Sequence, residues 1–204
     1  MDNISIERRH NMSIKIKKNN IVNIETKLDK SDPTLIADGD EFLQSSLYFS
    51  DCFDIPKLKR FIKRCEKMIR SSDAYSTYIG NLKNDKNLHC CAVKGNITDE
   101  DVDIEFHHYP FTLYDITYIV ILEHVMKKEK FTSFSVTSEV LNLHATNVIG
   151  MVPLSITEHQ LVHDGVRTIS MKSVFGDINA FIERYAYYLN DELIDKYNIL
   201  INII

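Results

Sequence analysis

Residues 104–110 read IEFHHYP and residues 155–165 read SITEHQLVHDG. These two stretches hold four of the eight histidines, and the fold turns on how they are read. Around the first, Val102, Ile104 and Phe106 alternate with Asp103 and Glu105, the period of a strand. Pro110 closes it, since proline cannot donate to a ladder. By that alternation His108 joins the apolar set and His107 the polar one. In the second stretch Ser155 or Thr157 supplies a helix cap and Gly165 a stop, which predicts a short helix. His159 and His163 then stand at i and i+4 and project from one side, a turn apart. Two imidazoles so placed can share a divalent ion. Gln160 stands where H-E-x-x-H proteases carry their glutamate, which argues against that class. His107 and His108 face opposite ways on a strand, so one suits a metal and the other proton transfer near neutral pH. The alternation does not say which is which.

Outward from these stretches, the pattern predicts a mainly helical α+β chain. Asp54 caps a helix over 55–71, with Pro56 in its first turn and Leu58, Phe61, Ile62, Cys65, Met68 and Ile69 at helical spacing. A second helix is expected over 73–82. Runs at 88–94 and 102–109 flank the turn-forming GNITDED and predict an antiparallel hairpin. Thr112 with Asp115 forms a capping-box start for a third helix, and a fourth covers 136–144. VIGMVPL reads as a buried extended run, VRTIS as a brief strand, and Asp177 as the start of a long helix to about Lys196. In the first thirty residues, Ile14 and Ile16 with Ile21 and Ile24 suggest a hairpin around Asn19-Asn20. No repeat or linker divides the chain. The expected division is an irregular or β segment over 1–50 and one α+β domain over 51–204.

At 204 residues the chain can bury a sizeable core, and its 44% hydrophobic and 26% charged residues are ordinary for a globular protein. No apolar run approaches the ~18 residues of a membrane span. MDNISIERRHNMSIKIKK lacks a signal-peptide core, so a cytoplasmic protein without membrane contact is expected. The four cysteines form no C-x-x-C pair and are expected reduced and mostly in the core. His124 and His144 lie on helices and are expected as packed side chains. The net charge of -5 hides one cationic cluster, in which Lys59, Arg60, Lys63, Arg64 and Lys67 share the predicted helix 55–71. Such a face is either solvated or suited to phosphates.

A histidine pair ending a strand, an asparagine-bearing loop, a buried strand with V-P-L and a helix with H-x-x-x-H resemble the HNH, or ββα-metal, endonucleases. The three-histidine version is the nearest form. The segment from HHYPFTLYDI to HATNVIGMVPLSITEHQLVH is also similar to phage-encoded proteins. The resemblance covers residues 88–165 and implies a ββα-metal motif embedded in the mainly helical domain. It makes His107, His159 and His163 ligands of one divalent ion (zinc, nickel, manganese or magnesium). It makes His108 the general base and Asn147 the residue orienting the loop beside it. The implied reaction is phosphodiester hydrolysis in nucleic acid, DNA rather than RNA, held by the cationic helix, in the host cytoplasm. Gly150 stands at the family's asparagine position, and two predicted helices interrupt the motif. The rival expectation is a non-catalytic structural or interaction protein of phage type, with or without a metal. Oligomeric state is not legible.

Overall fold

The computed structural model describes residues 47–202, together with the backbone of three short strand segments before them. Those segments are β1 (Ile6–Glu7), β2 (Lys15–Ile16) and β3 (Leu35–Ala37). β2 pairs antiparallel with β1, and β3 pairs with β4 (Leu47–Tyr48). The 21–24 half of the hairpin expected around Asn19-Asn20 lies outside the described residues. From there on the chain is mainly helical, α+β, with one small two-stranded sheet.

Helix α1 (Ile55–Arg70) starts as expected, with the Asp54 carboxylate accepting from Lys57 N–H and Pro56 in the first turn, where it leaves no bond unmade. It buries Leu58, Phe61, Ile62, Cys65 and Ile69 and exposes its cations. α2 (Asp73–Asn84) follows, capped by Ser72. α3 (Leu113–Lys127) carries the Thr112–Asp115 capping box, each side chain satisfying the other's backbone N–H. Its Ile119, Val120, Ile121 and Leu122 are all buried in succession. A helix apolar all round belongs in the middle of a core. Accordingly α1, α4 (Ser133–Ala145) and α6 (Ile178–Tyr185) all pack on α3.

The expected hairpin is replaced by a longer-range pairing. β5 (Ile104–His108) pairs antiparallel with β6 (Met151–Ser155), across α3 and α4, with His107 opposite Val152 and His108 opposite Met151. The 88–94 run forms no strand: it makes a bridge from Cys90 to Thr98, bonds across the turn such as Cys91 N–H to Ile97 C=O, and a bond from Ala92 N–H to Pro153 C=O. Beyond the ladder Tyr109 N–H donates to Gly150 C=O at 3.0 Å. A Cβ on Gly150 would run into the Tyr109 carbonyl and Ile178 and come within 2.8 Å of Val174. No side chain, asparagine included, fits there.

α5 (Ile156–His163) leaves β6 directly. VRTIS (166–170) has no strand partner among the described residues. The long helix expected from Asp177 is broken: a 3-10 turn spans Ala186–Tyr188, and α7 (Asp191–Leu200) restarts under an Asn190 cap. All four cysteines are free.

Two acids, Glu123 buried and Glu139 part-buried, tie α3, α4 and α6 together. Glu123 accepts from Lys127 at 2.7 Å and Arg184 at 3.1 Å. Glu139 takes Arg184, His124 Nε2 at 2.9 Å and the Tyr185 hydroxyl at 3.0 Å. Arg184 is half-exposed, and other donors remain on both carboxylates, so the loss on removing it is moderate. Arg184→Met is expected to cost about 1–2 kcal/mol, below the 3–5 typical of a fully buried pair. Urea unfolding of this variant, and of Arg184→Met with Glu139→Gln, measures it; a neutral single variant contradicts the assignment.

Candidate metal centre

β5 sends its neighbouring histidines to opposite faces, as the pleat requires. His107 shares its face with Glu105, and α5 lies across that face. His159 and His163, one turn apart on α5, point back at it. The ring centroids stand 5.0 Å (107–159), 4.8 Å (107–163) and 4.6 Å (159–163) apart, nearly an equilateral triangle. One ring nitrogen of each histidine lies within 4.8 Å of the others, and Nε2 of His159 and His163 are 3.1 Å apart. The rings are steeply inclined to one another, by 73°, 84° and 63°, and not stacked.

Glu105 completes this arrangement. Its carboxylate takes a hydrogen bond from His159 Nδ1, which fixes the proton there and leaves the Nε2 lone pair facing the other rings. Burial pushes His107 down to about 4, with the neighbouring His159 and His163 adding to the effect, so this ring is a neutral donor of its lone pair at ordinary pH. His107 is buried, His159 half-buried and His163 exposed. The side of the triangle near His107 and His163 opens on a cleft of about 490 Å³, whose wall includes Tyr109, Thr112, Arg167 and Lys196.

His108 is elsewhere. It lies on the opposite face of β5, buried, with Nε2 2.9 Å from His144 Nε2 and Tyr75 stacked over it. His144 Nδ1–H donates to Val140 C=O at 2.7 Å, so its Nε2 is an acceptor and His108 Nε2–H is the donor. Burial holds His108 well below the usual histidine range and brings His144 down to about 4. His108 therefore closes a hydrogen bond in the core and cannot reach water at the three-histidine point. Asn147 lies on neither strand of the pair. It sits in the left-handed region at φ 56° just past α4, where its N–H bonds His144 C=O and its own C=O accepts from Asp177 N–H.

Residues 9–204 match the family described as Bacteriophage G278-like virion protein. The chain belongs to that family. No curated protein and no solved structure matches it.

A virion protein corrects the expected activity. The likeness to HNH endonucleases, and with it phosphodiester hydrolysis and the DNA-binding role, gives way to the phage-particle family, while the phage origin agrees with it. The expected place in the host cytoplasm is replaced by the virion. The catalytic roles given to His108 and Asn147 go with the activity, and the geometry above supplies the physical reason. The cations Lys59, Arg60, Lys63, Arg64 and Lys67 are all exposed along α1. Lys63 is drawn into a 2.7 Å pair with Glu66 on its own helix. Clefts along α1 are walled by Arg60, Lys63, Arg64 and Lys67, and none of the three histidines lines them.

Reading the sequence missed Glu105 and Lys196. Glu105 had a signal, since alternation already placed it on the face of His107. Lys196 had none, standing at the far end of the expected last helix.

Proposed function

We propose that this virion protein is a non-enzymatic structural component in which one divalent transition-metal ion, held by His107, His159 and His163, fastens α5 onto the β5–β6 pair. The observation that carries the reading is the poverty of apolar burial in α5. Among its eight residues only Glu158 is fully buried, and that side chain pairs with Arg167 at 2.9 Å. An isolated helix of this length is far below the ~12–15 residues at which helices become marginal in water. Val162 packs against the cluster of Ile104, Tyr109, Val152 and Leu154, and the rest of the hold is polar: the Glu158–Arg167 pair, the Glu105–His159 bond and the three convergent imidazoles that an ion would tie together. The 3.1 Å separation of two Nε2 atoms is close to the ~3.3 Å edge of a tetrahedron with zinc–nitrogen bonds of about 2.0–2.1 Å. Nitrogen donors suit zinc or nickel; magnesium prefers oxygen. The sheet-then-helix arrangement is in this reading a ββα-metal module kept for its architecture.

Metal content of the purified protein and its thermal unfolding with and without zinc test the proposal. At a zinc concentration about 100-fold above Kd, binding to the native state alone adds about 2.7 kcal/mol. For a chain of this size that is a rise in Tm of about 5–10 °C. Glu105→Gln keeps the shape but loses the charge behind His159, and is expected to weaken zinc binding about 10- to 100-fold. A Tm indifferent to zinc, together with His107→Ala behaving identically, would falsify the metal reading.

A further inference from the structure

The proposed ion raises a question of coordination. A structural zinc site is almost always closed by four protein ligands. Among the described residues this cluster supplies three, and the one carboxylate next to it, Glu105, is engaged with His159 Nδ1 on the side away from the shared point. The open side is the cleft beside His107 and His163. Three neutral imidazoles leave the ion's double charge uncompensated. The cleft adds the cation Lys196, and Arg167 there is already matched by Glu158. Its wall also carries Ile199, 61% exposed, so the rim has apolar surface left to cover. A site with this charge balance selects an anionic oxygen over a neutral water, because the Coulomb attraction acts in a partly desolvated cleft.

We infer that the fourth ligand is a carboxylate supplied by a neighbouring protein chain of the particle, its second oxygen held by Lys196, so that the metal centre is completed on assembly. This rests on the metal reading above. A carboxylate fits better than a bulkier tetrahedral anion, since one oxygen goes to the ion and the other to a single ammonium. No bond to carbon is made or broken; a coordinated water leaves as the carboxylate enters.

The test uses the full chain loaded with cobalt(II), whose visible spectrum reports coordination. Acetate is the probe for the carboxylate, with phosphate in parallel. The expected result is a saturable change of the cobalt bands with acetate at tens of millimolar, weaker with phosphate. Lys196→Met is expected to lose roughly fivefold in acetate affinity while binding cobalt normally. Sedimentation of the cobalt protein without added acetate identifies the source: bands that change with concentration as a dimer forms assign the carboxylate to a second copy. A monomer whose bands move only with acetate excludes a second copy; assembled particles whose cobalt bands match the acetate form then assign the carboxylate to a different chain, and particles with the acetate-free bands overturn the inference. Bands that ignore both acetate and protein concentration overturn the inference and leave the three-histidine metal site standing, as does a phosphate response stronger than that to acetate. Lys196→Met matching the wild type removes Lys196 from the site. Failure to bind cobalt at all overturns the metal reading itself.

Discussion

Gly150→Ala is expected to destabilise the protein by about 3–5 kcal/mol, the upper end of what single substitutions do. The added methyl meets the Tyr109 carbonyl, which is backbone and cannot rotate away, as well as Ile178 and Val174. Relief requires moving β6 away from the end of β5, which breaks the Tyr109–Gly150 bond and loosens the ladder that carries His107 and His108. Gly165→Ala is the control. Gly165 has φ +69° but nothing within 4 Å of its Cβ position, so only backbone strain of about 1 kcal/mol is expected. Urea unfolding of the two variants should separate them by at least a factor of two. Equal costs would mean that crowding at Gly150 is relieved without effort and that β5–β6 is a looser pair than its register implies.

Acid should weaken the fold through the His108–His144 pair. His144 is depressed from the usual 6.5 to about 4, so the unfolded chain takes up its proton first as pH falls. Its contribution is therefore complete above about pH 6.5, erodes as pH drops, and is gone once pH has passed through about 4. Two to three units of depression correspond to about 3 kcal/mol. Charging His144 would also turn its Nε2 from acceptor to donor and set two N–H groups against each other in the core, with Tyr75 and Tyr78 around them. His124 works the other way: its bonds to Glu139 and Glu129 raise its pKa, so its stabilisation is present at low pH and lost as pH rises through the raised value. His144→Gln isolates the first effect, since an amide can still accept from His108 and donate to Val140. With a chelator present to keep the histidine triangle empty in both proteins, stability should fall with decreasing pH less steeply in the variant, by about 1.4 kcal/mol per unit between pH 6 and 4.5. Parallel curves would exclude His144 as the titrating group.

Much of the helical frame was legible because its signals are local. Asp54 with Pro56, and Thr112 with Asp115, mark helix starts by bonds made within one turn. The i, i+4 spacing of His159 and His163 likewise needs only one helix. The partner of β5 was not legible. GNITDED has turn chemistry, but the sheet is settled by which strand is buried on both faces, and that is β6, reached only after two helices. Nor did the continuing apolar period of the last helix betray its break, because Asn190 can cap as readily as it can sit exposed on a helix. The chemistry misled for another reason. Three imidazoles at one point serve a hydrolase and a scaffold equally well, and the difference lies in the next residue. His108 has alternation enough to be placed on the apolar face, yet only its bond to His144 shows that it is sealed off.

That adjacency has a mechanical side. One strand of five residues carries a ring of the histidine triangle and a ring of the main core on consecutive positions, with a single peptide plane between them. An ion that fixes His107 would fix the same stretch of backbone that sets His108 against His144. Hydrogen exchange at the β5–β6 amides should therefore slow when zinc is added, if the proposed ion grips the first of the two rings.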